Sequence, residues 1–302
     1  CGTIPSVAIV VCFRAQKGQR REAELQEFIP HMRTMLEKLR AEGEIRKYHI
    51  FVVQQKSSQD LDGIKFNRGK LLNIGFEIAQ EDFDSFVFHD VDLLPNDDLA
   101  PYYAAVPTVP IHIAACWHQR GYTSNPDFFG GIVSFSRMHF LQVNGYPNNF
   151  WGWGGEDEVI MDRCTRQCLV PWKVTEGSLT DIEKNAEGET MDMNSKLAWL
   201  KRNAEWKCGD RWERRAEDSR TWGMNGVATL HSAHHSYVEV PGQRQDISRL
   251  GPASAAETCT HLEGAQLGAA GTRIVVDLLF DKSDRERKDP QLELEHRAKK
   301  RR

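Results

Sequence analysis

The strongest constraint on the fold lies in the first third of the chain, where short apolar runs alternate with longer amphipathic ones. Residues 6–12, Ser-Val-Ala-Ile-Val-Val-Cys, form an apolar run of strand length and read as a buried strand. Arg21–Ala41 reads as a charged amphipathic helix, residues 49–54 as a second strand, residues 70–79 as another helix and Ser85–His89 as a third strand. Strand and helix in this order build an α/β fold with a mixed, mainly parallel central sheet. Ligands of such sheets bind beyond the carboxyl ends of the strands. The third strand runs straight into His89-Asp90-Val91-Asp92-Leu93-Leu94-Pro95, which places two carboxylates at that position. Two acids one residue apart can hold Mn²⁺ or Mg²⁺ against phosphate oxygens, since hard cations prefer oxygen ligands and share them with a substrate. Taken alone, Asp-X-Asp is more often an ordinary solvated turn. The apolar strand before it and Leu-Leu-Pro after it favour a site here.

Residues 112–117 and 131–136 read as further strands, and residues 156–167 have helical spacing. Beyond Pro171 the pattern weakens. Residues 185–220 are polar and carry Trp199, Trp206 and Trp212, which either cap a groove or pack as a helix. Residues 251–271 are rich in Ala, Gly and Ser and read as a loop before a closing strand at 272–280. We expect one catalytic domain over residues 1–281, with a divergent insertion at about 185–270, and a charged tail over 282–302. The tail suits a solvated helix or a disordered end better than a specific basic patch.

Of the 302 residues 40% are hydrophobic, and the formal net charge is −4, a balance that suggests neither wholesale disorder nor a surface that coats nucleic acid. No apolar run reaches the roughly 18 residues needed to span a membrane. Seven cysteines neither demand nor exclude disulfides, and Cys164 with Cys168 has helical spacing without a second pair that would make a zinc site.

A second signal is Phe150-Trp151-Gly152-Trp153-Gly154-Gly155-Glu156-Asp157-Glu158. Acids in a first helical turn complement the helix dipole whether or not they bind anything. Two tryptophans among glycines are poor loop material without a ligand, and aromatic faces suit the apolar C–H surface of a sugar ring, so we read both tryptophans as exposed and facing a sugar.

These segments, with Phe66-Asn67-Arg68-Gly69-Lys70-Leu71-Leu72-Asn73-Ile74-Gly75-Phe76, Phe129-Gly130-Gly131 and Val143-Asn144-Gly145-Tyr146-Pro147-Asn148-Asn149 between them, resemble the β-1,4-galactosyltransferases of glycosyltransferase family 7. The good similarity covers about residues 7–170. The resemblance implies a GT-A type fold and an inverting transfer of galactose from UDP-galactose, assisted by Mn²⁺, to a glycan or glycoconjugate acceptor ending in N-acetylglucosamine or xylose. It also implies residence in the Golgi lumen, with any membrane anchor outside this sequence, and no nucleic-acid partner.

Carried over by position, the resemblance assigns the donor to Phe13, Arg14, Phe66, Asn67, Arg68, Asp90, Val91, Asp92, Gly131 and Trp153. It assigns the acceptor to Gly155, Glu156, Asp157 and Glu158, with Asp157 as the general base. Departures from the family pattern fall at Cys12, where proline is usual, at Gln16, where a second arginine is usual, and at Glu158, where aspartate is more common. Phe128 stands where many members carry a tyrosine that crowds the donor's C2 substituent, which favours galactose over N-acetylgalactosamine. The family's later metal ligands, a histidine with methionine or a second histidine, have no counterpart, because no histidine lies between His139 and His231. Asp181 and Glu183 can present two oxygen ligands from one side of an extended strand, and we expect one or both to join Asp92 at the metal. His231, His234 and His235 form a reserve cluster, read first as surface or partly buried side chains. Another UDP-sugar donor, a catalytically silent carbohydrate-binding relative, and a metal-dependent phosphohydrolase using Asp90 and Asp92 remain alternatives.

Overall fold

The computed structural model describes residues 4–15, 19–56, 65–118, 127–185, 187–230, 235–237 and 271–278. In chain order, β1 (Ser6–Phe13) leads through α1 (Arg21–Ala41) to β2 (Lys47–Gln55), and α2 (Arg68–Ala79) leads to β3 (Ser85–His89). Then come β4 (Leu93–Pro95), α3 (Ala100–Tyr103), β5 (Ile111–His112), β6 (Ile132–Ser136), α4 (Arg137–Gln142) and α5 (Glu156–Arg166). The remainder comprises β7 (Trp172–Lys173), β8 (Leu179–Asp181), α6 (Met193–Arg202), α7 (Arg211–Thr221), β9 (His235–Tyr237) and β10 (Gly271–Leu278).

Among the described residues the main sheet has eight strands in the order β7-β5-β6-β3-β1-β2-β10-β9, while β4 and β8 form a separate antiparallel pair. β1 is parallel to both β2 and β3, and β10 is parallel to β2. β6 runs antiparallel to β3 and β5, so the sheet is mixed with a parallel centre. Every residue of β1 is buried, and the alternation of its side chains divides the core in two. Val7, Ile9, Val11 and Phe13 pack with Leu25, Phe28, Met32 and Leu36 of α1 on one face. Ala8, Val10 and Cys12 pack with Leu71 and Ile74 of α2, Phe140 of α4 and Ile160 of α5 on the other. A strand covered on both faces has no polar positions to alternate with, which is why residues 7–13 are apolar throughout.

Two expectations change, and the open one for residues 185–220 is decided. Residues 112–117 do not form one strand: β5 ends at His112 and the chain turns into a 3-10 helix over Ile113–Cys116. The edge partner β7 is only two residues long, so the ladder has nothing further to pair with. Trp151 is not exposed; it is 7% accessible and belongs to the second core cluster, leaving Trp153 as the tryptophan of that loop on the cleft. The polar stretch 185–220 contains two helices, α6 and α7. The tail at 282–302 and the Ala/Gly/Ser-rich loop up to residue 270 lie outside the described residues, as do His231, His234 and the side chain of His235.

Candidate active site

Because β1, β2 and β3 are parallel neighbours, the segments that leave their carboxyl ends meet at one edge of the sheet. An open cleft lies there. Phe13 and Arg14 at the end of β1, Phe66 and Arg68 around the start of α2, and Asp90, Val91 and Asp92 after β3 all border it. Trp153, Glu156 and Asp157 border it from the loop before α5 and the first turn of that helix. A helix N-terminus favours carboxylates, so the acids that reach the cleft also suit the end of α5.

Four of the expected site residues are placed elsewhere. Asn67 is fully buried as the N-cap of α2, accepting from the Lys70 N–H at 2.9 Å and donating to the Asn148 carbonyl at 2.7 Å. Gly131 lies behind the acid turn, where its carbonyl accepts the Asp90 N–H at 2.9 Å. Gly155 caps α5 at φ +107°, a conformation glycine adopts without strain, and a Cβ there would stand 2.5 Å from the Phe150 ring. Glu158 is partly exposed and does not border the cleft.

Arg68 ties the two acidic segments together. Its Nε donates to Asp90 Oδ1 at 2.8 Å and its Nη1 to Asp157 Oδ1 at 2.8 Å, with Glu156 Oε1 at 3.8 Å. Burial alone would lower this guanidinium, but Asp90 and Asp157 outweigh it and hold Arg68 well above its ordinary value. Burial raises Asp157 well above the usual carboxylate range; Arg68 opposes the rise, and Glu156, Asp90 and Glu158 add to it. Burial likewise raises Glu156, whose Oε2 is buried without a hydrogen-bond partner. Such an oxygen suits a ligand hydroxyl. On the donor side, Arg14 lies between the rings of Phe66 and Trp206, at 5.6 and 5.5 Å from their centroids, and burial lowers it to about 10, still cationic at neutral pH.

Sequence reasoning missed several residues that border the cleft: Gln19, Arg21, Lys196, Trp199, Leu200 and Trp206. The tryptophans were visible as candidates but their placement was open. Trp206 reaches the cleft because its carbonyl accepts the Trp153 N–H at 2.7 Å and the Cys208 N–H donates to the Trp153 carbonyl at 3.1 Å, pinning the segment before α7 to the Trp153 loop. Arg21 is the first residue of α1, so the end of β1 and the start of its crossover helix were the signal available.

Arg21 stands among the acids expected at a metal. Its Nη1 donates to Asp92 Oδ2 at 2.5 Å and to Glu24 Oε2 at 2.9 Å, and its Nη2 to Glu183 Oε1 at 3.0 Å. Lys196 Nζ donates to both oxygens of Glu183 at 3.0 Å. Burial would lower Arg21, but Asp92, Glu183 and Glu24 hold it well above its ordinary value. Burial raises Glu24 to about 7. Asp181 accepts the Glu183 N–H at 3.0 Å through Oδ1.

A mixed sheet with a parallel centre, an acid turn beyond its third strand and a cleft joining that turn to an acidic helix start define a GT-A type fold. The first 105 residues match the N-terminal region of glycosyl transferase group 7, and residues 112–181 match a family described as the N-terminal domain of galactosyltransferase. The chain belongs to glycosyltransferase group 7. Among its relatives, β-1,4-galactosyltransferase 4 of Mus musculus is 37% identical over 163 residues, 53% of this chain and 42% of that protein. Human β-1,4-galactosyltransferase 1 is 37% identical over 166 residues, 54% of this chain and 37% of that protein. The chain thus spans about two-fifths of the length of the curated relatives it matches. Among solved structures, a Drosophila β-1,4-galactosyltransferase 7 mutant in complex with manganese, UDP-Gal and xylobiose superposes with a TM-score of 0.63 at 26% identity, covering 93% of this chain and 97% of that one. The catalytic domain of the same Drosophila protein with xylobiose gives a TM-score of 0.62.

The residues in this chain do not fit a divalent cation at the Asp92 position. Among the described residues no group of three or more His, Cys, Asp or Glu side chains is placed to hold a metal ion. Mn²⁺ takes oxygen ligands at close range in a nearly complete shell. Here Asp92 and Glu183 are instead joined through a guanidinium, and Glu183 also through an ammonium, while the Asp181 carboxylate turns to a backbone N–H. Of the expected ligand set, Asp92 is thus tied to Arg21, Glu183 to Arg21 and Lys196, and Asp181 to the Glu183 N–H.

Proposed function

We propose that this chain is a glycosyltransferase that moves galactose from UDP-galactose onto a hydroxyl of a carbohydrate acceptor with inversion, in a β-1,4 linkage. The observation that carries the reading is the Asp157 carboxylate, held by Arg68 in one cleft with Phe13, Arg14 and Phe66. In this reading Phe13, Arg14, Phe66 and Asp90–Asp92 receive the nucleotide, and Trp153 lies along the phosphate and sugar. Glu156, with its unpartnered oxygen, holds an acceptor hydroxyl beside the reacting one.

Asp157 Oδ2 or Oδ1 takes the proton from the acceptor hydroxyl as its oxygen bonds to the anomeric carbon. The bond from that carbon to the UDP oxygen breaks, and its electron pair leaves with the diphosphate. One base and one displacement invert the anomeric centre, and a base raised toward neutrality matches proton transfer near physiological pH. Phe128 packs edge-on to His112 at 5.2 Å and lies beside Gly130, next to Asp157, a large ring that disfavours an N-acetyl group on the donor. In this reading the catalytic unit runs over residues 1–281.

The named relatives support the donor and the class of acceptor, and the Drosophila neighbour's own ligands, UDP-Gal and xylobiose, suggest xylosides beside N-acetylglucosamine-ended glycans in the acceptor panel. Residence in the Golgi lumen belongs to the same proposal; among the described residues no helix is long and apolar enough to cross a membrane. The test is incubation of the chain with UDP-galactose and that panel, with product followed by mass. A gain of one hexose on an acceptor supports the reading. UDP binding without transfer would assign a silent relative, and phosphate release without transfer a phosphohydrolase.

A further inference from the structure

Arg21 and Lys196 reach the cleft from opposite directions in sequence, one from the first turn of α1 and the other from α6, and they meet at Glu183. Arg21 has five N–H donors in its fork. Its Nε donates to Gln19 Oε1 at 3.2 Å, its two Nη1 donors to Glu24 and Asp92, and one Nη2 donor to Glu183, which leaves one N–H. Lys196 gives two of its three protons to Glu183 and keeps one. The side chains are 17% and 16% accessible, and both border the cleft. Glu183, at 1% accessible, and Glu24, at 3%, lie behind them. Glu183 and Glu24 thus form the backing, and the two cations share the cleft face with Asp92.

Charge leads to the same arrangement. Three acids, Asp92, Glu183 and Glu24, face the two cations Arg21 and Lys196, a surplus of at most one negative charge, and burial raises Glu24 to about 7. Asp92 and Glu183 are already joined by a guanidinium where a divalent cation would have to sit. A diphosphate arriving from the Arg14 side, by contrast, meets two positioned N–H donors on charged groups, the contacts that bind phosphate oxygens most strongly.

We propose that Arg21 and Lys196 take the diphosphate of the nucleotide directly, in the role a divalent cation would fill, so that this chain binds UDP without a metal. Asp92, Glu183 and Glu24 act as holders that fix the two cations. The proposal rests on the donor reading above.

The test is calorimetric titration of the full chain with UDP, once in EDTA and once in MnCl₂. We expect the two affinities to agree within about threefold. Binding seen only with Mn²⁺, or at least about tenfold tighter with it, overturns the proposal and leaves the donor reading standing. Absence of UDP binding in both buffers overturns the donor reading and the proposal with it. A variant then tests the contact itself. Lys196→Gln, at a partly exposed position on α6, should weaken UDP in EDTA by about tenfold, the loss of one charged hydrogen bond, and leave uridine unchanged. Arg21→Gln should do the same, but it strips the partner from three acids, so circular dichroism must show it folded before its value counts. An unchanged UDP affinity in Lys196→Gln overturns the assignment of that residue, and a parallel loss of uridine affinity assigns it to folding of the cleft instead.

Discussion

Gly130 faces Asp157 so closely that a Cβ added to it would stand 2.2 Å from the carboxylate Oδ2. The base is therefore held from two sides, by the Arg68 guanidinium at Oδ1 and by the bare backbone of the Gly130 segment at Oδ2. Gly130→Ala must push Asp157 off its position or shift the segment that carries residue 130. Displacing a catalytic group by about 1 Å can cost on the order of a hundredfold in rate. We expect kcat to fall by that order while UDP affinity, measured by calorimetry, stays within about threefold. A kcat within threefold of the parent would show that Asp157 is not the base or that its position is not critical.

The environment of Asp157 also sets a pH profile. Its carboxyl is raised by burial, and the base works only when deprotonated, so activity is present above that raised value and is lost as pH falls through it. The acid limb of kcat should lie above the usual carboxylate range near 4. Asp157→Asn removes the proton acceptor while leaving an oxygen for Arg68, so kcat should drop by about 10²–10⁴-fold with UDP binding retained. A limb at the ordinary carboxylate value, or an active Asn variant with the same limb, would assign the profile to another group.

How far the fold and site could be read in advance depended on whether the signal was local. The run from Ser6 to Phe13 is buried on both faces and is legible because nothing polar interrupts it. Asp90 and Asp92 are legible because they follow such a strand directly. Arg21 was not, because it opens a helix rich in exposed charge, and what distinguishes it is contact with Asp92, 71 residues on, and Glu183, 162 residues on. No pattern within one segment carries that pairing. Trp151 and Trp153 flank the same glycine, yet one is core and the other lines the cleft, since Gly152 has φ +98° and turns the chain. Helices α6 and α7 were obscured by composition: their polar faces are broad, and α7 buries only Arg214 and Asp218.

Trp206 gives a test of whether the segment past the resemblance takes part in donor binding. Its ring and that of Phe66 flank the Arg14 guanidinium, and cation–π contacts of this kind contribute about 0.5–2 kcal/mol. Trp206→Ala should therefore weaken UDP by roughly 2- to 30-fold. Its backbone hydrogen bond to Trp153 is retained, so the loop stays anchored. Trp206→Phe should recover most of the loss. Equal UDP affinity in the parent and the Ala variant would remove Trp206 from the donor site.

Asp218 of α7 anchors the same segment to α5 of the core. It is 1% accessible and receives Arg163 Nη2 at 2.5 Å and Nε at 3.1 Å, while Arg163 Nη1 donates to the Asn144 and Gly145 carbonyls at 3.2 and 2.8 Å. Among the described residues Arg163 is the largest side chain buried completely, and its charge has no water to turn to. Removing one member of a buried pair leaves the other uncompensated and costs about 3–5 kcal/mol. Asp218→Ala should lower the urea midpoint accordingly without changing the slope of the transition, and Asp218→Asn, which keeps acceptor oxygen for Arg163, should cost less. If the Ala variant unfolds at the parent's urea concentration, α7 is not coupled to α5 through this pair, and Trp206 must owe its place on the cleft to the Trp153 loop alone.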